Sequence, residues 1–292
     1  MRKHIKLFVG DITGLLRLIM FVLLRKISVG IKFPNVGKHK EVIILANGPS
    51  LEKNLKEDID YLKEHDIIML NFSPNNKYFF EIKPKYLIVA DPIFYKKDIR
   101  EDARNLIDLM VSNLELVMWN MIIYMPYEGR KKHYFSIVKN PYITIKYYNT
   151  IGGLLEAHQF LRHFLNRITM PPPLNVLISC IFIAIKMNYS IIKIIGADHS
   201  WFTNIFVGED NLLYIKDKHY YNLEGKLRPW YKYSVEEGTY KVHEMLGGFA
   251  NVFKIYWQLN IYAQKKGIQI YNCTPDSFID AFERAHLNKI IK

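Results

Sequence analysis

The feature that most constrains this chain is a rhythm of short, almost wholly apolar runs, each ending in a polar or glycine residue. Glu41-Val-Ile-Ile-Leu-Ala46 leads into Asn47-Gly-Pro-Ser50, and a Lys- and Glu-rich helix is predicted over 51–64. Ile67 to Leu70 ends at Asn71, and Tyr86 to Ala90 ends at Asp91-Pro92. A strand is predicted over 143–147, with helices over 154–165 and 174–187. Ile191 to Ile195 then meets Gly196-Ala-Asp-His199, a helix lies within 242–266, and Ile268 to Tyr271 ends at Asn272. Strands this short and apolar are covered on both faces, as they are where helices flank a parallel sheet. The expected class is α/β, a doubly wound, mostly parallel, Rossmann-like sheet.

Two segments depart from the rhythm. Residues 200–240 are crowded with Trp, Tyr, Lys, Asp and Gly and hold no sustained period. Their aromatics argue against disorder, so an inserted aromatic-rich lid is expected. Residues 1–35 form the other. The run Leu15 to Leu24 is interrupted by Arg17 and falls short of the ~20 residues of a spanning helix. No small-residue cleavage site follows it, so a secretory signal is not expected either. Read as a helix, Lys3, Lys6, Gly10, Gly14 and Arg17 make one polar stripe, and Phe8, Ile12, Leu15, Leu16, Ile19, Phe21 and Leu23 cover much of the rest. A basic amphipathic helix of this kind suits an anionic membrane surface, or else packs on the domain or on another subunit. The expected division is thus an N-terminal helix over 1–35 and a Rossmann-like domain over 36–292 with the lid inserted at about 200–240.

Composition narrows the partners. Of 292 residues half are hydrophobic and 14% aromatic, enough for a large core. The net charge of +12 favours anionic partners without choosing among nucleic acid, acidic lipid and phosphorylated substrate. Lys96-Lys97 and Arg130-Lys-Lys132 are scattered and belong to no RNA-binding motif, so nucleic acid is not an expected partner. Cys180 and Cys273 lack metal-ligand spacing and read as free thiols in a reducing compartment. Asp58-Ile-Asp60 has the spacing of a metal-binding pair but falls in a predicted helix, where it reads as solvated surface. The chain has no Gly-Lys-Ser/Thr triplet, no dinucleotide fingerprint, no second His to complete a zincin after His243-Glu244, and no Gly-x-Ser-x-Gly elbow.

Ligands of open α/β sheets bind beyond the carboxyl ends of the strands. Asn47, Gly48, Ser50, Asn71, Asp91, Asp198, His199 and Asn272 all fall at such ends, although turn chemistry alone also places some Asn, Asp and Gly there. Within the first turn, Gly48 lets backbone approach a ligand, Pro49 suits a first helical turn, and Ser50 can cap the helix. Free amides at that helix start would suit a phosphate.

Three blocks carry a family resemblance, in order along the chain: Ile43-Ile-Leu-Ala-Asn-Gly-Pro-Ser-Leu51, Asn175 to Trp201 with its Ile191-Ile-Lys-Ile-Ile-Gly-Ala-Asp198, and Ile268-Gln-Ile-Tyr-Asn-Cys-Thr-Pro-Asp-Ser277. They resemble the lipooligosaccharide sialyltransferases that use CMP-sialic acid. The first two blocks also resemble a broader set of cell-surface polysaccharide proteins, distantly similar to flagellin glycosyltransferases and to a pterin pyrophosphokinase family.

The resemblance implies a glycosyltransferase that takes a sugar from a CMP donor, with no obligatory metal or other cofactor. Asn47 and Ser50, with Gly48 and Pro49 between them, would hold the donor's phosphate and ribose, and Asn71 would contact the donor. Asp91 stands where that family has Asn, and a carboxylate beside an anionic donor is unfavourable unless it binds a hydroxyl, a base amine or a metal. Asn175 lies close to the family's Ser/Thr at a helix start, and Asp198 and Asn272 join the donor side from their strand ends. His243 is the best-placed match to the general base, although its spacing to the last strand is longer by one or two helical turns. His199 competes from its strand-end motif, and either ring also reads as a structural histidine. Tyr220, Tyr221 or Tyr231 would stabilise the leaving phosphate. The acceptor would be a glycan or lipid-linked glycan, met in the cytoplasm at the inner membrane face. Two rivals stay open. One is a pyrophosphokinase of the pterin type, with Asp91 and Asp198 holding Mg²⁺; the other is a non-catalytic scaffold for polysaccharide assembly.

Overall fold

A computed structural model describes residues 16, 19–20, 28, 31–37, 40–95, 99, 101–131, 134–150, 170–219, 222–232 and 238–288. Its main sheet has eight strands in the order β11-β10-β6-β1-β2-β3-β4-β5. These are β1 (Glu41–Leu45), β2 (Asp66–Leu70), β3 (Tyr86–Ile88), β4 (Met121–Pro126), β5 (Ile143–Tyr148), β6 (Ile191–Ile195), β10 (Gln269–Asn272) and β11 (Glu283–Arg284). The registered pairs run parallel, Glu41 against Ile191 and Gln269 against Ile191 among them. The expected α/β, mostly parallel, Rossmann-like architecture is therefore what the chain forms. By compactness it divides into two units, residues 38–67 with 189–292 and residues 1–37 with 68–188.

The unit of 38–67 and 189–292 is built on β11-β10-β6-β1. After their first residue, β1 and β6 are buried without a break, which explains their apolar spelling. The exception is Lys193, in the middle of β6 and 1% exposed. Helix α6 (Val242–Gln264) buries Phe249, Val252, Ile255, Tyr256, Leu259 and Ala263, a stripe at three- and four-residue steps. The predicted helix over 51–64 is in fact two, α1 (Leu51–Glu57) and α2 (Ile59–Lys63). Asp58 breaks it with a non-helical backbone, and its carboxylate accepts from Asn54 Nδ2 at 3.0 Å and from Asn288 Nδ2 at 2.8 Å. The expected lid is ordered as a second sheet. Strands β7 (Ile205–Val207), β8 (Leu213–His219) and β9 (Asn222–Pro229) pair antiparallel. Aromatic rings gather round it: Phe206 stacks on Tyr214 at 5.4 Å, and Trp230 lies 6.1 Å from Phe249.

Among its described residues the unit of 1–37 and 68–188 contains β3, β4 and β5 with the helices α3 (Phe79–Ile82), α4 (Glu101–Glu115) and α5 (Val176–Lys186). Strand β4 and helix α4 were not expected from the sequence. Helix α4 buries Ile107, Met110, Val111 and Leu114 along one face. In α5 nine consecutive residues, Leu177 to Ile185, are buried, so it is apolar all round and lies inside its unit. The predicted helix over 154–165 and nearly all of residues 1–35 with basic or apolar stripes lie outside the described residues; Leu16, Ile19 and Met20 are described, helical and exposed. Among the described residues no helix is long and apolar enough to cross a membrane.

Candidate functional site

At the carboxyl ends of β1 and β6 the two strands' turns close on each other. Gly48 N–H donates to Gly196 O at 2.7 Å, and Ala46 N–H donates to Ile195 O at 2.9 Å. A side chain at Gly48 would put its Cβ 2.0 Å from Asp198 Oδ2, so only glycine fits. Gly196 has φ +69 and backs onto Leu51, which makes it the partner glycine of the same seam. Ser50 joins the seam from the start of α1. Its Oγ donates to Asp198 Oδ2 at 2.8 Å and its N–H donates to Oδ1 at 3.2 Å.

That geometry corrects two expectations. Ser50 does not cap its own helix, because its backbone is already helical and its hydroxyl is turned to Asp198. The Gly48 and Ser50 amides expected to be free for phosphate are engaged by the Gly196 carbonyl and the Asp198 carboxylate. Asp198 itself has a raised pKa: burial is the largest cause, the Ser50 hydroxyl and amide partly offset it, and Asp276 adds a further rise. Asn47 and Pro49 complete the turn, both half-buried.

Asn272, at the end of β10, is buried and hydrogen-bonded to the loop that follows it. Its Nδ2 donates to Ser277 Oγ at 3.0 Å and to Ile279 O at 3.2 Å, and its Oδ1 accepts from Thr274 N–H. Ser277 Oγ donates in turn to Ala197 O at 2.6 Å, tying the loop after β10 to the turn after β6. His199 is 7% exposed, with Nε2 2.6 Å from Tyr256 Oη and its ring 4.2 Å from Trp201. Burial lowers its pKa to about 3, so the ring is neutral at ordinary pH. His243 is exposed in the first turn of α6. The same turn is fixed by Glu244, which accepts from Lys241 N–H at 2.7 Å and from Lys232 Nζ at 2.8 Å. Tyr231 bridges to Thr239 and is half-buried, whereas Tyr220 and Tyr221 lie outside the described residues.

The remaining predicted site residues belong to the unit of 68–188. Asn71 has φ 46, a left-handed conformation that Asn tolerates, and its Oδ1 accepts from Ala90 N–H at 3.2 Å. Asp91 is exposed, and its Oδ1 caps the turn Pro92–Phe94 by accepting from Ile93 N–H at 3.0 Å. Asn175 caps α5, its Oδ1 accepting from Ile178 N–H at 3.1 Å. Each is therefore used locally to end a strand or begin a helix.

A cleft opens in the unit of 38–67 and 189–292, with Asn272 on its lining and most of its other walls unannounced by any local sequence pattern. Its volume is about 700 Å³, and Lys53, Glu57, Asp58, Asp276, Arg284 and His286 are among its lining residues. Helix α1 forms one wall, and the loop after β10 and the segment 284–288 form the other. One signal was available in retrospect, Thr-Pro-Asp after a strand, where Asp276 takes φ 51.

Comparison with known proteins bears on the fold. No protein-family model matches the chain, and no curated protein does. Among solved structures it is similar to the MAf glycosyltransferase from Magnetospirillum magneticum AMB-1, with a TM-score of 0.50 and 11% identity. The match covers 89% of this chain and 34% of that one, so the chain spans about a third of that protein's length. The likeness is one of fold alone.

Proposed function

We propose that the chain transfers a sugar from a nucleotide donor to a cell-surface glycan or glycolipid, the donor being a CMP-linked, sialic-acid-like nonulosonate. The observation that carries this reading is the sealed seam of Gly48, Ser50 and Asp198 at the carboxyl edge of parallel strands, where α/β sheets receive their ligands. The fold shared with a glycosyltransferase supports the reaction class, and the three sequence blocks support the donor. Asp198 holds the turn, and Asn47 with the Gly48-Pro49 face meets the donor. His243 is the base, because its exposed ring is open to an acceptor hydroxyl, while His199 braces Trp201 and Tyr256 from inside. Residues 1–35 bring the enzyme to the anionic inner leaflet.

A thermal-shift panel of CMP, CDP, UDP, GDP and ATP, each with and without Mg²⁺, tests the donor. A ligand of the folded state raises Tm, and CMP is expected to do so without metal. A shift seen only with ATP and Mg²⁺ would sink the reading in favour of a pyrophosphokinase. Given turnover of a CMP-sugar, His243→Ala is expected to lower kcat by about 10²–10⁴-fold with Tm retained.

A further inference from the structure

The cleft between α1 and the segment 284–288 has a composition unlike that of the whole chain. The protein carries +12, yet at the cleft Lys53 and Arg284 face three carboxylates, Glu57, Asp58 and Asp276. An anionic ligand, whether a nucleotide phosphate or a nonulosonate carboxylate, gains nothing from that balance. Among the described residues no Phe, Tyr or Trp lines the cleft, and its one aromatic ring is the imidazole of His286, so a nucleobase finds no stacking platform of the usual size. What the lining offers is a dense mixture of acceptors and donors: carboxylates that accept, a lysine that donates, and the side chain of Asn288, which does both. A sugar hydroxyl both donates and accepts, and such a wall matches several at once.

The walls are also held in advance. Lys193 Nζ donates from beneath to Leu287 O at 2.9 Å. The Arg284 guanidinium donates to Thr274 O at 2.8 Å and to Ser277 O. Asn288 is tied across to Asp58. Groups fixed before binding lose little entropy when a ligand arrives. The volume of about 700 Å³ lies within the range of small-molecule sites, roughly 300–1,000 Å³.

We infer that this cleft seats a neutral saccharide unit of the acceptor, separate from the nucleotide. The assignment rests on the glycosyltransferase reading for the word acceptor and on the cleft alone for the saccharide. The test uses the full chain, titrated by saturation-transfer NMR and calorimetry with glucose, galactose, N-acetylglucosamine and lactose, and with free sialic acid as a charged control. At least one neutral sugar is expected to bind, and sialic acid is not. Lys53→Ala and His286→Ala change exposed side chains; the first gives up the 4.0 Å ion pair with Glu57 at the surface of α1, and neither touches the ties of Lys193, Arg284 and Asn288. Each is expected to weaken sugar binding about tenfold, with Tm and the CMP shift unchanged. The proposal is overturned if no neutral sugar binds, if binding survives both substitutions, or if the CMP shift disappears together with it. Sugar binding retained where CMP gives no shift upholds the saccharide seat and removes the CMP donor, so the two readings fail separately.

Discussion

Lys193 is the residue with most at stake. It occupies an apolar strand at 1% exposure, and its ammonium is held by Glu41 Oε1 at 3.0 Å, Tyr61 Oη at 2.8 Å and Leu287 O. Burial alone would lower its pKa, but the hydrogen bonds it donates to Tyr61 and Glu41, with the Glu41 charge, more than offset this and raise it. Removing one partner of such a pair leaves a buried charge unmatched. Lys193→Met is expected to cost about 3–5 kcal/mol in urea unfolding, and adding Glu41→Leu should recover much of it. His199 makes a different prediction. Its folded pKa of about 3 lies below the ordinary 6.5, so the unfolded chain takes up the proton first. Stability is then full above pH 6.5 and falls as the pH drops from 6.5 towards 3, by roughly 1.4 kcal/mol per unit from this group. Denaturation midpoints at pH 7, 5.5 and 4.5 should fall less steeply in His199→Gln. Equal slopes would show that other groups set the acid limb.

Among elements, the turn after β1 tests whether the seam is structural. Gly48→Ala forces a methyl against Asp198 Oδ2 and is expected to destabilise by about 1–3 kcal/mol. Asp198→Gly in the same chain should relieve only part of the crowding, because the Gly196 carbonyl would still lie 2.6 Å from the new methyl; a double-mutant cycle by thermal unfolding would register that partial coupling. The strand β1 was legible because Val42 to Leu45 is all core, as were β2, β6 and β10 for the same reason. What lay outside the local pattern was the partnership: Ser50 and Asp198 are 148 residues apart, and nothing in either neighbourhood announces the other. The lid's strands escaped notice because their alternation is brief. Leu213 and Ile215 point inward and Tyr214 and Lys216 outward over a few residues only. Strand β11 is two residues long and carries no period at all. At the strand ends the turn residues were legible by their chemistry, but not that Asn272 and His199 are buried and hydrogen-bonded to neighbours far off in sequence or in the following loop. The cleft was not legible because Glu57 and Asp58 look like the solvated face of one helix until Asp58 is seen to break it.

At the scale of the whole molecule, the charge of +12 predicts a salt-sensitive affinity for anionic surfaces. The full chain is expected to sediment with vesicles containing phosphatidylserine at low salt and to be released as salt rises, each basic residue near the surface contributing about 1 kcal/mol. A chain lacking residues 1–33 should stay in the supernatant; if it sediments equally, attachment lies elsewhere and the amphipathic helix has another partner. The strand order has a further consequence, one that belongs to biosynthesis. Strand β1 registers with β6, Glu41 beside Ile191, across 150 residues of chain. A ribosome adding about 5–20 residues per second leaves β1 waiting roughly 8–30 s for that partner. An apolar strand with an open edge for so long is a target for chaperones, and the yield of folded protein from cells should depend on them more than its final stability suggests.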